Sequence, residues 1–240
     1  LASKSPRRKE LLEVIGTDFE IFECNFKEEI QPNESVSEFV ERNTKEKALK
    51  AIAMLQAKNS LMLPVLTADT AVAIDNQIFG KPISKDHCIS MLMELSGRSH
   101  KVFTCVALAN VESKDYEKVN LNFEVVESEV FFRQLNANEC SRYWDTKEPI
   151  DKAGGYAIQG YGSAFVEKII GSYSNIVGYY AVYDNWLSPE DKDEIYNVFF
   201  NLHFPWFWAR LPYNKDGKMY TCFESHTERC CCCKKSNFTD

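Results

Sequence analysis

The stretch LMLPVLTADTAVAIDNQIFGKP, residues 61–82, decides how the chain is read. It is strongly apolar, yet it sets a carboxylate, Asp69, between Thr67 and Thr70. An ionised Asp inside a buried strand costs on the order of several kcal/mol unless a cation or metal lies beside it. The segment therefore reads as a buried strand carrying either a functional carboxylate or a strand-end Asp satisfied by backbone amides. A turn follows at Asp75-Asn76, and then a lysine is held between a glycine and a proline in Gly80-Lys81-Pro82.

Working outward, LASKSPRRKELL, residues 1–12, predicts a strand end followed by a helix, with Ser5 as N-cap and Pro6 at the first helical position. Leu11, Leu12 and Ile15 give that helix an apolar stripe and Gly16 ends it. Arg7 and Arg8 fall in the first turn, where the helix dipole disfavours cations. Two arginines, with Ser3 and Ser5, make sense there if an anion such as phosphate docks at the helix start. Residues 18–26 predict a strand, and Ser35-Val36-Ser37-Glu38 is a capping box opening a helix to about Leu55. Lys47 lies at the margin of that helix's apolar stripe, placed either to reach water or to aim its ammonium into an anion-binding cleft.

Beyond residue 82 the pattern predicts a helix with Cys88, Met91, Leu92 and Leu95 on one face, stopped by Gly97. Residues 101–111 and 119–133 read as a long antiparallel pair, followed by a helix over 137–144. The glycine-rich run from Glu148 to Gly178 has the tight turns of a ligand-lining loop.

The 240 residues suffice for one α/β domain with a real core, plus an appendage. Net charge is −7, with 35 acidic against 28 basic residues, which argues against a duplex-binding protein that neutralises phosphates. No apolar run reaches membrane-spanning length and no secretory signal is visible. The chain opens on Leu1 rather than Met, so native residues before it are expected. Cys24, Cys88, Cys105 and Cys140 stand singly, as buried thiols of a reducing compartment do, and predict a cytoplasmic location.

LASKSPRRKELL, VLTADTAVAI, FGKP, LSGRSHKVFTCVAL, EPIDKAGGYAIQG and IIGSYSNIVG, in that order, resemble the Maf family of nucleoside triphosphate pyrophosphatases over residues 1–178. The resemblance implies an α/β fold of the Maf and inosine-triphosphatase type: a mixed twisted sheet with flanking helices, in two lobes around a deep cleft. It implies cleavage of a nucleoside triphosphate between its α and β phosphates, with Mg²⁺ or Mn²⁺. Asp69 would be the proton acceptor, and Ser3, Arg7, Lys47 and Lys81 would line the phosphate path. Glu28 would join Asp69 around the metal, although its neighbour Glu29 offers the same chemistry. Arg7, Thr70 and Gln159 match positions linked to substrate choice, in the versions of the branch acting on dTTP and UTP.

Elementary chemistry agrees with that implication. A triphosphate brings about four negative charges, which Arg7, Arg8, Lys47 and Lys81 can offset. Hard oxygen ligands such as Asp69 and Glu28 suit Mg²⁺ or Mn²⁺, and none of the four histidines stands among these residues. The expected partner is a nucleoside triphosphate, with no nucleic acid and no membrane, and a homodimer is an admissible assembly. A catalytically weak nucleotide-binding regulator of cell division is the alternative.

The expected domains are residues 1–180, Maf-like, and a divergent tail, 181–240. In that tail Ser188-Pro189 begins a plausible helix, PWFWARLP (205–212) is an aromatic knot, and Cys222, His226 and Cys230 recur every four residues. The run Cys230 to Cys233 matches no tight metal spacing, and no function is assigned to the tail.

Overall fold

The computed structural model describes residues 1–14, 18–58, 63–111, 119–178, 208–210 and 221–223. One compact unit runs from Leu1 to Trp186 and a second from Leu187 to Asp240. Of the second, a two-stranded antiparallel ladder is described, β6 (Trp208–Arg210) against β7 (Thr221–Phe223). Ser188, Pro189, His226 and Cys230 to Cys233 lie outside the described residues, as do Ile15 and Gly16.

The first unit is built on β1 (Val65–Ile74), β2 (Gln77–Phe79), β3 (Ser99–Val111), β4 (Val119–Phe132) and β5 (Val166–Ile170), in the order β2-β1-β3-β4-β5. The α/β class with flanking helices holds, and where a mixed sheet was expected all four described ladders are antiparallel. β1 is buried along nearly its whole length, because helices cover both faces of the sheet at that point. Asp75 and Asn76 both take positive φ (51° and 63°), so β1 and β2 join through the two-residue turn that suits the strands' twist.

Helix α2 (Val36–Ala57) covers one face, with Ser35 and Glu38 forming the predicted capping box. Val36, Phe39 and Val40 pack on Ala71, Ala73, Phe103 and Cys105, and Ala48, Ala51 and Ile52 pack on Ala2, Val65 and Ala109. The other face meets α3 (Lys85–Leu95), α4 (Ala137–Asp145) and the short α5 (Tyr173–Val177) through Val72, Ile74, Leu92, Leu95, Val130, Phe132 and Ile176. Helix α1 (Pro6–Val14) contributes buried Leu12. Residues 18–26, expected as a strand, form no ladder. Their main-chain contacts are two bonds to Leu1, from Phe22 N–H to Leu1 O (2.9 Å) and from the Leu1 ammonium to Glu20 O (2.7 Å), too few pairings for alternating side chains to become a strand. Among the described residues no helix is long and apolar enough to cross a membrane.

His100 sits in the core on the α3 and α4 face of the sheet, edge-on to Phe132 and Tyr156 at centroid distances of 4.8 and 5.3 Å. Its Nε2 is hydrogen-bonded to the Tyr156 hydroxyl (2.7 Å), while Nδ1 has no partner. Burial lowers its pKa from 6.5 to about 4, so the folded ring stays neutral where the unfolded ring takes a proton. Unfolding is therefore favoured as pH falls from 6.5 towards 4, by at most about 3 kcal/mol from this one ring. Urea unfolding across that window should show a slope that flattens in His100→Gln. Equal slopes in the two proteins would contradict this role.

Candidate active site

Successive side chains of β1 alternate faces, which places Asp69 with Thr67, Ala71 and Ala73 on the side covered by α2. Thr67 Oγ1 donates to Thr44 O (3.1 Å), tying helix to strand at that level. On α2, Lys47 lies one turn after buried Asn43 and one before buried Ala51, so its side chain runs along the helix–sheet seam. Its Nζ donates to Asp69 Oδ1 at 2.8 Å and to Glu28 Oε1 at 2.6 Å. Glu28 comes from the irregular segment before α2. Its neighbour Glu29 turns away to pair with Lys27, and the Glu29 carbonyl accepts from Arg42 (2.8 Å).

Asp69 itself is buried, and its second oxygen, Oδ2, has no hydrogen-bond partner. Burial is the strongest influence on its protonation and pushes its pKa up. The Lys47 ammonium opposes this, Glu28 reinforces it, and Arg8 weakly opposes it, leaving the carboxyl above the ordinary carboxylate range. Cys105, its register partner on β3, adds no second anion, because burial pushes that thiol up to about 11. The Asp69 and Glu28 carboxylates are hard oxygen donors. They fit a small divalent cation that completes its shell with water and phosphate oxygens, although among the described residues no three acidic, His or Cys side chains gather.

β2 pairs with β1 only over Val72 to Ile74, so the outer edge of β1 beside Leu66 to Thr70 is open to other groups. Leu66 O accepts from Ala2 N–H (2.9 Å), and Arg8 takes the next position. Its Nη1 donates to Ala68 O (2.8 Å) and Ser3 Oγ (3.3 Å), its Nε to Gly178 O (3.2 Å) and its Nη2 to Thr70 Oγ1 (3.4 Å). Thr70 Oγ1 also shares a 2.9 Å bond with Thr104 Oγ1, which donates to Asn175 O (2.9 Å). Gly178 ends α5 at φ 96°, a backbone shape that favours glycine, and a Cβ there would crowd Thr70 Oγ1 at 3.1 Å.

Arg7 faces elsewhere. It is half-buried and donates no hydrogen bond among the described residues; burial lowers its pKa, opposed by Glu10, Tyr143 and Glu148. Lys152 is half-buried, and burial together with the positive charges of Arg7 and Lys81 lowers its pKa. Gly154 N–H donates to Gly80 O (3.1 Å), which brings the Gly80-Lys81-Pro82 loop against the Lys152 turn. Lys81 and Gln159 are exposed and make no hydrogen bond among the described residues.

The predicted residues thus fall into two groups. Glu28, Lys47 and Asp69 touch one another, whereas Arg7 and Lys81 share a neighbourhood with Lys152. Arg8 lies between them, feeling Asp69, Arg7 and Glu28. An open groove lined by Glu34, Glu38, Glu41, Arg42, Lys45 and Glu46 is unsuited to polyphosphate, since its Arg42 is already bound by Glu34 (2.6 Å) and Glu46 (3.4 Å) and its Lys45 by Glu41 (2.5 Å). Lys152 and Glu148 were not singled out from the sequence. The signal lay in EPIDKAGG, whose glycines drew the reading away from its charges.

The Maf family model, described as "Maf-like protein", matches residues 1–180. The chain is 44% identical over 179 residues to the dTTP/UTP pyrophosphatase of Hahella chejuensis, covering 74% of this chain and 84% of that protein. It is 45% identical over 179 residues to the protein of that name from Alkalilimnicola ehrlichii, covering 74% and 85%. With the same-named protein of Acinetobacter baylyi it shares 41% identity over 180 residues, 74% of this chain and 91% of that protein. A match of this extent means that the chain belongs to the Maf family.

Proposed function

We propose that this chain is a nucleoside triphosphate pyrophosphatase, converting dTTP, UTP and modified pyrimidine nucleotides to the monophosphate and pyrophosphate. The observation that carries the reading is the buried Asp69, one oxygen held by Lys47 and the other free, in a chain similar to proteins named dTTP/UTP pyrophosphatase. Seven relatives of 40 to 45% identity carry that name.

Asp69 Oδ2 accepts a proton from a water aligned with the α phosphorus. A bond forms from the water oxygen to phosphorus, the bond to the bridging oxygen breaks, and its electron pair leaves with pyrophosphate. A carboxyl whose pKa burial has raised is a stronger base for this step than an exposed aspartate. Arg7, Lys81 and Lys152 make no salt bridge among the described residues, and they offset the charge of the leaving group. Arg7, Thr70 and Gln159 select the nucleotide. Ser3 and Arg8 hold the N-terminal segment against β1 so that Arg7 faces the polyphosphate. Mg²⁺ or Mn²⁺, held by Glu28 and Asp69, would neutralise phosphate charge and polarise the bond to be cut.

We place the protein in the cytoplasm, in keeping with free thiols at Cys24, Cys88, Cys105 and Cys140. A homodimer is the assembly to test, and the net charge of −7 weighs against nucleic-acid partners.

The test is a panel of nucleoside triphosphates with Mg²⁺ or Mn²⁺, scored for pyrophosphate against orthophosphate. Pyrophosphate is expected, fastest from dTTP and UTP; orthophosphate, or binding with no release, would contradict the reading. Asp69→Asn should lower kcat by roughly 10²-fold or more while nucleotide affinity changes little, and near-normal turnover would remove Asp69 from the chemistry. Arg8→Lys loses the planar fork that reaches Ala68, Thr70 and Gly178 together. It should cost about 1–3 kcal/mol of unfolding free energy in urea; unchanged stability would show the fork to be dispensable.

A further inference from the structure

Glu148 is not among the residues assigned a part above, yet its carboxylate accepts three hydrogen bonds, two of them from backbone amides of the Gln159 loop. Tyr143 Oη donates to its Oε1 (2.7 Å), Gly162 N–H donates to the same oxygen (2.9 Å), and Tyr161 N–H donates to Oε2 (2.8 Å). Tyr143 Oη in turn accepts from Ala157 N–H (3.0 Å). Through one carboxylate and one phenol, three backbone amides on both sides of Gln159 are fixed to α4 and the turn after it.

The glycines of this loop make the wrap feasible. Gly160 has φ 128°, and a Cβ there would fall 2.3 Å from Glu148 Oε2. At Gly162 a Cβ would meet Ala157 O at 2.4 Å and Tyr143 Oη at 2.7 Å. The chain therefore passes Glu148 as bare backbone, leaving Gln159 exposed between two anchored ends. The same carboxylate acts electrostatically on Arg7 and on Lys152, from the side of the proposed leaving group.

We infer that Glu148 is a positioning residue that fixes the Gln159 loop relative to Arg7 and Lys152, so that nucleotide choice and phosphate binding are set by one clamp. This rests on the pyrophosphatase reading above. A carboxylate is required because three donors converge on it. The amide of Gln has one acceptor oxygen, and its NH₂ would oppose a backbone N–H that already donates.

Glu148→Gln in the full chain tests this, with kcat and KM measured for dTTP, UTP, dCTP and ATP beside thermal unfolding. The expected result is a KM for dTTP raised roughly tenfold with kcat changed less, and a preference for dTTP over dCTP reduced roughly tenfold. Tyr143→Phe, which removes the donor and acceptor hydroxyl but keeps the ring, should move both quantities the same way by a smaller factor, and it serves if Glu148→Gln does not fold. If kcat/KM for all four nucleotides falls by one common factor, or does not fall, Glu148 supports the fold alone and the inference is overturned. Wild-type protein that releases no pyrophosphate from any of the four would instead overturn the underlying reading, and this is seen before any variant is made.

Discussion

The structure depends on a single ammonium group. Lys47 holds Asp69 in the covered middle of β1 and holds Glu28 beside it. Without that cation, a carboxylate in a strand buried on both faces would carry an uncompensated desolvation penalty of several kcal/mol and would take up a proton instead. With the cation, one oxygen of Asp69 is paired and the other is left bare. A bare, buried oxygen is poor economy for stability alone, and such groups concentrate where a protein does chemistry.

The surrounding architecture follows from how β1 is flanked. β2 is three residues long and stops short of the level of Asp69, so the strand edge there is free of a ladder. Arg8 and the first residues of the chain occupy that edge through bonds to main-chain oxygens, which joins residues 3, 68, 70 and 178 around one guanidinium. Arg8 is thereby spent on structure, while the neighbouring Arg7 donates no hydrogen bond among the described residues. Adjacent arginines in the same helical turn thus have opposite fates because successive helix positions point about 100° apart.

Much of this was legible beforehand, for definite reasons. The buried strand around Asp69, the two-residue turn at Asp75-Asn76, the Ser35 capping box and the long β3–β4 pair all rest on local chemistry that tertiary packing reinforces. Lys47 was placed at the helix margin by spacing alone, and the fold turns that margin into the contact with Asp69. Residues 18–26 carry the composition of a strand, but a ladder needs a partner, and composition says nothing about one. Which of Glu28 and Glu29 faces Lys47 depends on the path of an irregular segment, which no periodicity encodes. The separate duties of Arg7 and Arg8, and the use of Glu148, depend on contacts between residues up to 170 apart in the chain. Those contacts exist only once the sheet has assembled.

Burial pushes the Asp69 carboxyl towards its protonated form and the Lys47 ammonium pulls it towards the ionised one. Its titration, followed through the side-chain carboxyl carbon by NMR in the protein as it stands and in Lys47→Met, tests this most directly. Asp69 is expected to titrate above the ordinary aspartate value of about 4 and to move higher still when the ammonium is removed. An Asp69 that titrates at or below that value, and does not respond to the loss of Lys47, would contradict this.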